Sequence, residues 1–122
     1  MVAGGSGITP LYSMIMQMLQ FEPKSKVTLL YTNRKEENIV FKKELNKLTR
    51  QYPQFEYIEF ISSIKRIEKN DLKFGNNAYY YICGPDSLKD GITQDLKDLK
   101  ISKSHINIEH FADGYTPWFG LV

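Results

Sequence analysis

The chain has 122 residues, enough for one domain around one core. Its 42% hydrophobic content argues against disorder, and 16 basic against 14 acidic residues leave a net charge of +2, which calls for neither nucleic acid nor an anionic membrane as partner. The single cysteine, Cys83, has no partner for an internal disulfide and no metal-type spacing, and no apolar run approaches the roughly 18 residues of a membrane helix.

In chain order, Met1, Val2 and Ala3 read as the end of a buried strand, and Gly4, Gly5, Ser6 and Gly7 as a glycine-rich turn. A helix over 9–21 follows, with Thr9 as its N-cap, Pro10 at its first position, and Leu11, Met14, Ile15, Met18 and Leu19 on its apolar face. Met14, Met16 and Met18 read as core fillers, not metal ligands. The free N–H groups of such a helix start favour a phosphate, although a tight turn without a ligand has the same sequence. The turn is neither G-x-G-x-x-G, because Pro10 stands where the third glycine would, nor a P-loop, because its lysine is missing.

Residues 26–32 read as a strand and 36–51 as a second helix with Ile39, Val40, Leu45 and Leu48 inward. A third strand over 55–61 puts Phe55, Tyr57, Glu59 and Ile61 on one face and Glu56, Ile58 and Phe60 on the other. A basic connection over 62–77 contains a short helical turn near Glu68–Leu72. A fourth strand over 78–83 runs through Gly84, Pro85 and Asp86 into a third helix over about 87–99, capped by Asp86 or Ser87, with Leu88, Ile92, Leu96 and Leu99 on its apolar face. Residues 105–111 read as a fifth strand, and 112–122 as an aromatic tail.

This alternation predicts an α/β fold: a five-stranded parallel sheet covered on both faces by helices, in three layers. Ligands of such sheets sit beyond the carboxyl ends of the strands, the edge where the turns at 4–10, 32–35, 62–66 and 83–87 fall. The domain is expected to span 1–111. A strand that starts at Met1 leaves almost no lead-in, so the chain is expected to be the C-terminal part of a longer protein. No leader peptide is recognised, and a cytoplasmic location is expected.

The run Gly4-Gly5-Ser6-Gly7-Ile8-Thr9-Pro10, then Tyr31-Thr32-Asn33-Arg34, then Cys83-Gly84-Pro85, with Glu109 and Phe111 near the end, resembles the pyridine-nucleotide domain of the ferredoxin–NADP reductase superfamily. That superfamily includes cytochrome b5 reductase, flavohaemoglobin reductase domains and the reductase components of oxygenases. The resemblance covers residues 1 to about 111 and implies a Rossmann-like domain binding NADPH or NADH. It gives the pyrophosphate to Gly5, Ser6, Gly7, Ile8 and Thr9, mostly through backbone groups. It puts Asn33 and Arg34 beside the cofactor, although Arg34 has an alternative as a surface partner of Glu36 or Glu37. Asn38 stands where the family often has Asp.

The same resemblance gives an adenosine 2′-phosphate to Ser62, Lys65 and Arg66, which leans the reading to NADPH, with a solvated basic loop as the alternative. It sets Cys83, Gly84 and Pro85 beside the nicotinamide, Cys83 helping to place C4 for hydride transfer and Gly84 admitting the ring. A small buried cysteine at a strand end is the plainer reading of Cys83. Glu109 and Phe111 resemble the family's terminal acidic and aromatic pair, which faces the flavin. Together Cys83, Glu109 and Phe111 form the implied catalytic group. Tyr115, Trp118 and Phe119 are left three places to go: over the nicotinamide site, onto another domain, or back onto this core.

Relatives hold FAD in a barrel ahead of this domain with an Arg-x-Tyr-Ser/Thr motif, and neither stands in this sequence. There is no cysteine set for an iron–sulfur cluster either. The chain alone is therefore expected to bind the nucleotide without turning it over. FAD would come from a domain in cis or in trans, and electrons would pass on to an iron–sulfur, haem or flavodoxin acceptor protein. The competing reading is a non-catalytic nucleotide-binding or interaction module.

Overall fold

A computed structural model of the chain describes residues 1–109. Five strands form one sheet: β1 (Val2–Gly4), β2 (Val27–Asn33), β3 (Phe55–Ile61), β4 (Tyr80–Cys83) and β5 (Ile106–Ile108). Their order is β3-β2-β1-β4-β5, and every neighbouring pair is parallel. The chain winds outward from β1 to β3, then crosses back to place β4 on the other side of β1. The switch point of the sheet therefore lies between β1 and β4.

Three helices cover it: α1 (Ile8–Phe21), α2 (Lys42–Gln51) and α3 (Asp86–Asp98). Because strand side chains alternate, the sheet supplies two cores. Ala3, Leu29, Tyr31, Phe55 and Cys83 meet Leu11, Ile15 and Leu19 of α1 and Leu45 and Leu48 of α2 on one face. Val2, Leu30, Phe60, Tyr80 and Ile82 meet Leu72 and, from α3, Ile92 and Leu96 on the other. Each fully buried aliphatic side chain contributes roughly 1.5–3 kcal/mol through its removal from water, so periodicity alone goes far towards fixing this layering.

Several boundaries differ from the sequence reading. The α1 helix starts at Ile8 with Gly7 in the cap position, so Thr9 and Pro10 are its second and third residues. The missing N–H of Pro10 is harmless there too, because the first turn has no internal acceptors for its donors. The second helix is only its last ten residues. Glu36–Asn38 form a 3-10 turn, Ile39 is extended, and Phe41 takes a left-handed φ of 61° before α2 starts. The cause is tertiary: Val40 N–H donates to the buried Tyr31 hydroxyl at 3.3 Å, and the Phe41 ring stacks on Tyr12 with centroids 4.5 Å apart.

Pro85, not Asp86 or Ser87, occupies the cap position of α3. Asp86 lies in the first turn, where its charge suits the helix dipole, and pairs with Lys89 at 3.2 Å. The expected turn near Glu68–Leu72 is a 3-10 turn over Lys69–Leu72. The last strand is shorter than 105–111: Lys103–His105 form a 3-10 turn, with His105 stacked on Tyr79. Phe111 and the 112–122 tail lie outside the described residues.

Candidate functional site

At the switch point the turn after β1 is packed, backbone against backbone, on the turn after β4. A Cβ on Gly7 would collide with the carbonyl of Cys83 and stand 2.8 Å from the Gly84 nitrogen, while one on Gly84 would stand 3.2 Å from the Gly4 Cα. Gly5 has the opposite reason for being glycine: its surroundings are open, but its φ is +54°. The expectation that Gly84 makes room for a nicotinamide ring thus meets a competing explanation, since Gly84 already makes room for Gly4. A substitution at Gly7 tests folding before it tests binding.

Beside this packed turn, a cleft of about 520 Å³ opens at the carboxyl edge of the sheet. Gly4 and Gly5 line it after β1, and Thr32, Asn33 and Arg34 from the end of β2. Asn38, then Ser62, Arg66 and Ile67 after β3, continue the lining. The far wall is Pro85 and one stripe of α3, through Ser87, Leu88, Gly91, Ile92 and Asp95.

The loops are tied at this edge. Ser62 N–H donates to the Asn33 carbonyl at 2.8 Å, and the Ser63 hydroxyl donates to the Arg34 carbonyl at 3.0 Å. The N–H groups of Ile64 and Lys65 both donate to the Ile61 carbonyl at 2.8 Å, which turns the chain back and brings Arg66 to the cleft.

Asn33 is the informative side chain. It is 5% exposed, it lines the cleft, and its Nδ2 has no hydrogen-bond partner. A buried donor left unpaired costs about 1–3 kcal/mol, a cost that a ligand acceptor would remove once the amide turned towards the cleft. Arg34 and Arg66 also line the cleft, and guanidiniums suit phosphate oxygens. Ile67, Leu88 and Ile92 supply an apolar surface for a ring. This donor set fits a nucleotide diphosphate.

Of the residues singled out in the sequence, Gly5, Asn33, Arg34, Ser62, Arg66 and Pro85 come together in the cleft lining. Ser6 is exposed outside the lining, Gly7 and Ile8 are buried, and Thr9 is half-buried. Lys65 is drawn aside, its ammonium 6.0 Å from the centre of the Phe60 ring. Cys83 is fully buried and faces α1. Burial pushes its thiol pKa up, the Glu109 charge adds to this, and Lys89 opposes it, so the group stays a neutral thiol near pH 7. Glu109 is half-buried beyond the end of β5, its N–H donating to the Ile82 carbonyl at 2.8 Å.

The sequence reading missed the α3 wall. Leu88 and Ile92 read as core, and Gly91 and Asp95 carried no signal beyond a spacing that puts 88, 91, 92 and 95 on one helix stripe. A larger cleft, about 720 Å³, opens at the amino edge among Met18, Lys26, Phe74 and Tyr79. It faces the carboxyl end of α1 and Glu22, which disfavour an anion. Among the described residues no group of three or more His, Cys, Asp or Glu is placed to hold a metal ion, and no helix is long and apolar enough to cross a membrane.

Known proteins resemble this chain in sequence and in fold. The family model described as "Oxidoreductase NAD-binding domain" matches residues 1–94. One of the subunits of the 1,2-phenylacetyl-CoA epoxidase of Escherichia coli (strain K12) is 33% identical over 90% of this chain and 36% of its own length. NADH-cytochrome b5 reductase 2 of Aspergillus terreus is 36% identical over 76% of this chain and 34% of its own length. The chain thus spans about a third of these curated relatives. In fold it is similar to the flavohemoglobin of Malassezia yamatoensis, with a TM-score of 0.81 at 19% identity, over 91% of this chain and 30% of that one.

Proposed function

The chain belongs to the oxidoreductase NAD-binding domain family, and on that premise we propose that it holds NADPH or NADH in the carboxyl-edge cleft and presents the nicotinamide to a flavin carried elsewhere. The observation that carries this is the unpaired Asn33 amide, buried in a cleft that also holds two guanidiniums. The adenosine and phosphate half occupies the cleft. Asn33 donates to a phosphate or ribose oxygen, and Ser62 and Arg66 hold a 2′-phosphate when one is present. Lys65, set over Phe60, assists only by its field.

The nicotinamide half runs along the β1 turn, past Gly5, Ser6, Gly7, Ile8 and Thr9, towards Cys83, Gly84 and Glu109. The Cys83 thiol, held neutral by burial against α1, supports the turn from beneath and acts neither as a base nor as a nucleophile. Glu109 faces the flavin side. The flavin supplies the hydride acceptor that no side chain offers. In the whole protein, FAD sits on a domain in cis or in trans, residues 1–111 form the nucleotide domain, and electrons leave to a separate acceptor protein. A cytoplasmic location suits this chemistry.

Calorimetric titration of the chain with NADPH and NADH tests the reading, with Asn33→Leu and Arg66→Ala beside the wild type. Binding that weakens in both variants without loss of fold supports it. Binding of neither nucleotide, alone or with a flavin domain added, overturns it. Binding without nucleotide oxidation once a flavin domain is added would favour the non-catalytic module.

A further inference from the structure

We propose that the α3 wall of the cleft is a base-selecting slot, in which Gly91 leaves the space for the adenine ring and Asp95 accepts a hydrogen bond from its exocyclic amino group. The inference rests on the cleft being the nucleotide site, and it assigns roles to two residues that the binding reading did not use. Gly91 lies inside α3, where glycine is a poor helix former. Its φ is not left-handed, and a Cβ built there would meet nothing within 4 Å, so neither backbone geometry nor packing inside the chain requires a glycine. What lies beside it is the cleft. The absent side chain is explained if the space belongs to a ligand.

The neighbours define that ligand. Leu88 and Ile92, three before and one after Gly91, and Ile67 from the facing loop give apolar contact to a flat ring. Asp95 lies one turn beyond Gly91 on the same stripe and also lines the cleft. It is half-buried and makes no ion pair among the described residues, because the nearby Lys69 is taken by Asp98 at 2.9 Å. A half-buried carboxylate at the end of an apolar slot is an acceptor looking for a donor. Asn33 and Arg34 lie in the same cleft, so the slot takes the ring next to the diphosphate. An adenine offers an N–H donor from its amino group, and a hypoxanthine offers a carbonyl oxygen there instead.

The probe pair is NADH and reduced nicotinamide hypoxanthine dinucleotide, titrated calorimetrically into the 1–122 chain. The expected result is at least tenfold weaker binding of the hypoxanthine form to the wild type. In Asp95→Asn, whose amide can also donate to a carbonyl, the two affinities should converge to within about threefold. Gly91→Leu should weaken NADH at least tenfold while leaving the thermal midpoint unchanged or higher, and Gly91→Ala should raise that midpoint. Equal wild-type affinities for the two dinucleotides, with Asn33→Leu still weakening both, would overturn the slot and leave the nucleotide site standing. Binding of neither dinucleotide, alone or with a flavin domain added, would overturn both.

Discussion

Two regions meet at the carboxyl edge of this sheet, and they use small and polar residues for opposite purposes. At the β1–β4 switch point, Gly4, Gly7 and Gly84 are small because other parts of the chain press against them. Across the cleft, Gly91 has nothing pressing on it, and Asn33 keeps a buried amide unpaired. The first region is satisfied by the chain itself. The second is incomplete in the chain, and incompleteness of this kind is what a binding site looks like before its ligand arrives. The same residue type therefore answers to packing in one place and, on our proposal, to a ligand in the other.

Four experiments break or sharpen that contrast. The largest effect is expected at Gly7. Gly7→Ala drives a Cβ into the Cys83 carbonyl, which can yield only if a strand shifts, so a loss of about 3 kcal/mol or more in denaturant-derived stability is expected. A variant as stable as wild type would show that the two turns are not locked together. Next, Arg66→Ala should weaken NADPH binding by at least tenfold, in line with about 1.5–3 kcal/mol for a hydrogen bond to a charged group. Its stability should stay within about 0.5 kcal/mol, as for an exposed surface residue.

Asn33→Leu sharpens the comparison most directly. Because it removes a buried donor that lacks a partner, stability should hold or rise by about 1 kcal/mol while nucleotide affinity falls. A clear loss of stability instead would mean that the amide is already satisfied. The smallest effect concerns Cys83. Its thiol pKa is raised by burial in the folded chain, so the folded state holds the proton more tightly than the unfolded one. This contribution to stability is full below the ordinary thiol pKa and is lost as the pH rises through and beyond it. Stability should thus fall more between about pH 8 and pH 10 in the wild type than in Cys83→Ala. Iodoacetamide should label the native thiol slowly at about pH 8.

Much of the fold was legible in the sequence, for physical reasons that particular elements show. The apolar faces of α1 and α3, with helical spacing, and the β-branched and aromatic runs of β2 and β3 must be buried somewhere, and a parallel sheet with helices on both faces is the arrangement that buries them all. The second helix failed as read because local periodicity counted Ile39 and Val40 as its inner face. Tyr31 and Tyr12, distant in sequence, instead hold that stretch extended. The cleft was half legible: Asn33, Arg34, Ser62 and Arg66 follow strand ends, and strand ends are where such sheets bind.

What the sequence by itself determined is the layering, the edge that carries the cleft, and the glycine-rich turn that opens α1, because all three follow from period, propensity and the shape of glycine. What only the tertiary structure decided is which glycine answers to what, that Asn33 is buried without a partner, that Cys83 is sealed beneath the turn, and that α3 supplies a wall of the cleft. These depend on distances between segments far apart in the chain. No local pattern encodes whether a neighbour presses close or leaves a space.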